Sequence, residues 1–183
     1  MSMSNAVAKG SMFMNGILAV LFTILGPTMM WTNYCETGCL ARSPADGGWT
    51  VSANSVIFEG AQIGNELFVR YDLGHKLGPF QPTFGASITD TSDVWIGNGA
   101  NIEWTFGSRD ALSLELSLMP GFYFQGSGPD LGGILEARSG IALGYEFQNG
   151  GKLAVSFDHR SNADIYSTNP GLETLGVRYT LRF

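Results

Sequence analysis

His159, Ser161 and Glu173 are the residues of this chain whose types and spacing could do chemistry. A serine hydroxyl becomes a nucleophile when an imidazole takes its proton, and a carboxylate can orient that imidazole and stabilise its cationic form. Side chains in a strand alternate faces with period two, so His159 and Ser161 share a face with Leu153, Val155 and Phe157. Glu173, across one loop, has the parity of Leu175, Val177, Tyr179, Leu181 and Phe183, so its carboxylate can meet the imidazole when the two strands pair. The reaction class is acyl transfer to water. Negative charge developing on the attacked carbonyl needs donors, and Asn162, the backbone amide of Ala163 and Asn169 are nearby. A purely structural reading makes His159 an interfacial amphipath, Ser161 to Asp164 a loop and Glu173 a rim charge. Placement weighs against it, because all three groups recur on an apolar face where unpaired polar groups cost free energy.

The elements that must position these residues are strands. From Trp49 onward eight alternating runs are separated by turn-forming residues, and no helical periodicity competes with them. The runs are Trp49 to Phe58, Glu66 to Leu73, Phe80 to Thr89, Asp93 to Phe106, Ala111 to Gln125, Leu135 to Phe147, Lys152 to Arg160 and Leu172 to Phe183. Between them lie Gly74 to Gly78, Thr89 to Ser92, Gly107 to Asp110, Gly126 to Gly133 and Asn149 to Gly151, all rich in turn chemistry. The fifth run is the clearest: Leu112, Leu114, Leu116, Leu118, Pro120, Phe122 and Phe124 take one face, and Ser113, Glu115, Ser117 and Tyr123 the other.

A polar face of this kind must be enclosed. With the apolar face outward, Arg70, Glu103, Glu115, Glu136, Arg138, Glu146, Arg178 and Arg182 turn inward, where opposite charges can pair. The expected fold is all-β, an eight-stranded antiparallel transmembrane barrel of the outer-membrane type, whose interior is filled by side chains. Closure removes the unpaired edges that lipid could not satisfy, and the terminal Phe183 suits such a barrel. A soluble lipocalin-like barrel competes, and needs the opposite assignment of faces.

Composition agrees: 183 residues fit one domain, with 44% hydrophobic and only 14% charged residues and 25 glycines. A net charge of −6 without a Lys/Arg block excludes nucleic acid as a partner, since that binding depends on phosphate neutralisation. Residues 1–31 read as a targeting segment that is removed, with Lys9 ahead of the apolar run Ile17 to Leu25; because no small-x-small cleavage site follows, a retained anchor stays open. Residues 32–48 form a linker and 49–183 the barrel. Cys35 and Cys39 in that linker are compatible with a local disulfide, a lipid attachment or neither. No His or further Cys lies close enough in sequence to complete a tetrahedral metal set.

His159-x-Ser161-Asn162-Ala163 followed by Asn169-Pro170-Gly171-x-Glu173 resembles the PagL family of lipid A 3-O-deacylases. The resemblance extends back through Leu131-Gly132, Arg138-Ser139-Gly140, Leu143-Gly144-Tyr145 and Phe157, roughly the C-terminal third, while the N-terminal half agrees in barrel pattern. It implies an esterase of the Gram-negative outer membrane with Ser161 as nucleophile, His159 as base and Glu173 as third member. Asn162 supports the site, and the Ala163 amide and Asn169 serve as oxyanion donors. The implied substrate is the acyl chain esterified at the 3-position of lipid A, the lipid anchor of lipopolysaccharide in the outer leaflet. No cofactor and no metal are implied, and a homo-oligomer stays open. The alternatives are a non-catalytic barrel serving structure, adhesion or complex assembly, and an esterase for another outer-leaflet lipid.

Other conspicuous residues read as structural. His75 falls in a turn at the far end from His159. Gly97-x-Gly99 lacks the strand-to-helix context of a dinucleotide loop and suits close backbone packing. Trp95 and Trp104 fit filling or anchoring roles, and Pro120-Gly121 marks a bulge or interruption of its strand.

Overall fold

The computed structural model describes residues 16–36, 38–107 and 111–183. Lys9 of the targeting segment, Thr37, and Ser108 to Asp110 of one turn lie outside the described residues. One helix, α1 (Ile17–Asn33), precedes strands β1 (Arg42–Pro44), β2 (Gly48–Phe58), β3 (Ala61–Asp72), β4 (His75–Leu77), β5 (Gln81–Thr89) and β6 (Val94–Phe106). There follow β7 (Leu112–Met119), β8 (Gly121–Phe124), β9 (Ala137–Glu146), β10 (Gly151–Ser161) and β11 (Leu172–Arg182). Strands β7 and β8 are one barrel strand interrupted at Pro120, which has no N–H to give the ladder. Both pair with β6, β7 through Ala100 to Phe106 and β8 through Val94 to Gly97.

Sequential antiparallel pairing runs round the sheet, and β2 closes on β11 with Trp49 opposite Leu181, which completes an eight-stranded barrel. The burial pattern decides which face is inside. Phe84, Ile96, Leu143, Val155, Leu175 and Val177 are each about half exposed on the outer face, whereas Arg70, Glu115, Arg138, Asp158 and Arg178 are buried in the lumen. That assignment is the reverse of a soluble barrel, and an exterior of this kind requires lipid around it.

Two layers fill the lumen. Val56, Phe68, Trp95, Met119, Tyr123, Leu131 and Leu172 form an apolar cluster at the end that carries the links 125–136 and 162–171. Further along, Arg70 holds Glu115 (2.6 Å) and Asp72 (2.9 Å), while Arg138 holds Glu66 (2.9 Å) and Asp158 (3.1 Å). Arg178 joins Glu115 to Asp158, and Lys152 and Arg182 both contact Glu103. The sequence expectation of paired lumenal charges holds for these groups, with Glu66, Asp72, Lys152 and Asp158 as partners it did not name. Glu136 departs from that expectation: the side chain it meets is Asn162, an amide.

Gly97 and Gly99 sit at close approaches in the barrel wall, since a Cβ at 97 would lie 2.5 Å from the Trp95 ring and one at 99 would lie 2.0 Å from the Leu118 carbonyl oxygen. Outside the barrel, α1 lies against the outer face: Phe22 packs with Ile102 and Leu116, and a Cβ on Gly26 would meet the Phe80 ring at 2.6 Å. Ile102 and Leu116 are outward in parity yet 1% and 2% exposed because the helix covers them. No helix among the described residues is long and apolar enough to cross a membrane. A disulfide joins Cys35 to Cys39, and the ribbon β1–β4 sets Ser43 opposite Lys76 in what the sequence suggests is a plain linker and turn.

Candidate active site

The site lies where β10 ends and β11 begins, at the link-rich rim. Pairing of these strands sets His159 directly opposite Glu173, and pairing of β9 with β10 sets His159 opposite Ser139 and Ser161 opposite Ala137. His159 Nδ1 stands 3.6 Å from Glu173 Oε1, within ion-pair reach and outside hydrogen-bond reach. Neither imidazole nitrogen has a hydrogen-bond partner among the described residues, although the side chain is 1% exposed. Ser161, two residues along, is partly exposed on the same face. The strands therefore set His159 and Glu173 opposite one another with Ser161 two residues along on the same face, and neither imidazole nitrogen is hydrogen-bonded to the other two.

Beyond Ser161 the chain turns sharply. Ala163 (φ 51°) and Asp164 (φ 59°) both occupy the left-handed region, which costs a non-glycine residue about 1–2 kcal/mol. Asn162 anchors this turn. Its backbone N–H donates to Asn169 Oδ1 (3.1 Å), and its side-chain Nδ2 donates to the carbonyls of Thr168 (2.8 Å) and Leu131 (2.9 Å). Asn169 Nδ2 in turn donates to Asp164 Oδ1 (3.0 Å), which commits one of its two amide hydrogens. The two rim links interlock at glycines: a Cβ at Gly132 would lie 2.1 Å from the Thr168 carbonyl oxygen, and one at Gly133 would lie 2.1 Å from the Tyr166 ring.

Beside Ser161 a cleft of about 430 Å³ opens on the outer face of the barrel. Phe84, Ile96, Phe122, Leu135 and Ile165 supply apolar walls, and Ser161, Asn162 and Ala163 form its polar edge. Its walls come from residues far apart in sequence, Phe84, Ile96 and Phe122 on strands and Leu135 and Ile165 in the rim links, which is why strand periodicity alone does not reveal it. Behind the turn, sealed from solvent, sits Glu136, whose carboxyl burial pushes up to about 8. His75 is in β4, paired with Pro44, away from these residues. Among the described residues no group of three His, Cys, Asp or Glu side chains is gathered as a metal site requires.

Residues 99–182 match the family of lipid A 3-O-deacylase (PagL). The crystal structure of the outer membrane enzyme PagL superposes with a TM-score of 0.60 at 16% identity, covering 74% of this chain and 99% of that one. A de novo designed transmembrane β-barrel (TM-score 0.53, 10% identity, 76% and 98% covered) and Neisserial surface protein A (0.51, 11%, 78% and 99%) share the barrel architecture. No curated protein sequence matches the chain. Residues 99–182, somewhat less than half of the chain, are thus similar to the PagL family, and the barrel as a whole has the fold of PagL.

Proposed function

We propose that this chain is an outer-membrane serine esterase that removes the acyl chain esterified at the 3-position of lipid A. The observation that carries the reading is the convergence of His159, Ser161 and Glu173 on one outward-facing patch beside an apolar cleft. A lipid substrate need not leave the membrane to reach such a site, because its acyl chain can lie in the cleft while the ester meets the polar edge at Ser161.

In this reading His159 accepts the Ser161 hydroxyl proton as the oxygen attacks the ester carbonyl. Glu173 fixes the imidazole and stabilises its positive charge. The Ala163 amide and the uncommitted Asn169 hydrogen receive the developing oxyanion. His159 then protonates the departing sugar hydroxyl, and water, activated the same way, releases the fatty acid and restores Ser161. The rim of the site faces the outer leaflet, with both barrel termini at the periplasmic end, and residues 1–31 serve export.

The test is mass spectrometry of lipid A incubated with the folded parent and with Ser161→Ala. Loss of one 3-linked acyl chain with the parent alone is expected. Retention of every chain by both, with folding verified, overturns the reading.

A further inference from the structure

Glu136 and Asn162 follow the last pair of the β9–β10 ladder, Ala137 with Ser161, so they face each other on the lumenal side of the rim, immediately behind the nucleophile turn. Both side chains are 1% exposed. The two Asn162 amide hydrogens point to the carbonyls of Leu131 and Thr168 at 2.9 and 2.8 Å, which fixes the orientation of the amide and uses both hydrogens. Glu136 Oε1 is left as a distant third acceptor at 3.4 Å. Glu136 Oε2 and Asn162 Oδ1 have no hydrogen-bond partner among the described residues. An ionised carboxylate in that position would have one distant donor, the Asn162 amide at 3.4 Å, and no cation to offset its burial. A single proton on Glu136 removes that uncompensated charge and turns Oε2, which has no donor of its own, into a donor.

We propose that Glu136 is a positioning residue for the ester hydrolysis, a neutral carboxylic acid sealed behind Asn162 that holds the Ser161–Ala163 turn from the lumen. The inference rests on the reading of Ser161 as nucleophile. Asn162 carries the effect forward, since its own backbone N–H is bonded to Asn169 and its carbonyl accepts from the Ile165 N–H (3.1 Å), so any shift of its side chain displaces both oxyanion donors. Trp95 locks the other side by donating Nε1 to the Glu136 carbonyl (2.9 Å).

The charged and titratable groups around Glu136 do not offer it a cation. Tyr123 on β8 donates its hydroxyl to the Pro129 carbonyl (3.0 Å), and Asp93 and Asp130 lie towards that end. Arg138, two residues along β9, is held by Glu66 and Asp158, and Arg160, two residues before Asn162, is held by Glu66. His159 is on the opposite face of the sheet. Ionisation at alkaline pH therefore places an unpaired anion beside the Asn162 amide, where it competes with the Leu131 and Thr168 carbonyls for the amide hydrogens that hold the turn.

The experiment uses the full chain folded in detergent, with Glu136→Gln and Glu136→Ala beside the parent. Difference infrared spectroscopy should show the carbonyl band of a protonated carboxylic acid that is lost near the pH of about 8 to which burial raises this group, and that is missing from Glu136→Gln. Turnover of lipid A by the parent should fall over the same range. Glu136→Gln, which keeps both shape and a donor, should retain turnover at neutral pH and lose that alkaline fall. Glu136→Ala should lower kcat at least roughly tenfold at every pH with KM little changed, the signature of lost alignment rather than lost binding. An alkaline limb unchanged in Glu136→Gln, or no titrating carboxylic acid, overturns the role of Glu136 while leaving Ser161 in place. Absence of turnover by the parent instead overturns the reading of the site on which this role depends.

Discussion

His159 and Glu173 are directly opposed on β10 and β11, with Nδ1 and Oε1 3.6 Å apart on the outer face of the barrel. Cross-strand register fixes this pair more firmly than a loop could, since sliding one strand by a single residue would turn one of the two side chains into the lumen. Glu173→Gln keeps the shape and removes the charge that, in the proposed mechanism, stabilises an imidazolium. We expect kcat to fall by about 10²–10⁴-fold with KM nearly unchanged and the barrel fully folded. Steady-state hydrolysis of lipid A, with heat-modified gel mobility as the folding control, checks this.

The cleft offers a second handle. Ile96 forms part of its wall and is 50% exposed. Ile96→Trp adds bulk to the cleft wall and leaves the proposed triad unchanged, so turnover of long-chain lipid A should drop several-fold or more while hydrolysis of a short-chain ester holds. Equal losses on both substrates would show that the cleft does not hold the acyl chain.

Much of this architecture was legible in the sequence because lipid outside and packed charge inside impose a strict period of two. All eight runs became barrel strands, and the interruption expected at Pro120 separates β7 from β8. The trio was legible for the same reason, since parity alone put His159, Ser161 and Glu173 on one face. What escaped has no period. Strands β1 and β4 have three residues each, too few to alternate, and their pairing joins segments more than 30 residues apart. The link between Asn169 and Asp164, and that between Glu136 and Asn162, arise where two irregular rim segments meet. Glu136 carried the parity of a lumenal ion pair, and only the three-dimensional meeting shows an amide as its neighbour.

The lumenal network makes a stability prediction. Arg138 pairs with both Glu66 and Asp158 in a space that admits no solvent, so Arg138→Met leaves two buried carboxylates short of a partner. Removing one member of a buried ion-pair cluster costs about 3–5 kcal/mol. The midpoint for urea unfolding from detergent or lipid should fall accordingly. The triple replacement of Arg138, Glu66 and Asp158 by apolar residues should recover much of the loss, because the penalty comes from unpaired charge.

The raised Glu136 carboxyl also sets a pH dependence of stability. Its folded value of about 8 lies above the unfolded value of 4.5, so its contribution is fully present below about pH 4.5 and is lost as pH rises towards 8. Glu136→Gln cannot ionise. The unfolding midpoint of that variant relative to the parent should therefore climb between about pH 5 and pH 8 and level off above, with the two proteins converging at the acid end. A difference independent of pH would show that Glu136 does not bind its proton more tightly in the fold.

The helix α1 poses a different question, because most of it belongs to the segment read as a targeting sequence, yet it covers Ile102 and Leu116 on the outer face. In water, removing it would expose two large aliphatic side chains. In a bilayer, acyl chains take its place, and lipid is as apolar as the helix it replaces, so only the packing contacts are lost. A barrel without residues 1–31 should thus fold and hydrolyse lipid A like the full chain when both are reconstituted in lipid. Intact-mass measurement on protein extracted from outer membranes reads the processing itself: a species lacking about the first 31 residues supports the targeting role. A full-length mass, together with a truncated barrel that unfolds more readily in lipid, would instead make α1 a permanent part of the fold, held through the close approach of Gly26 to Phe80.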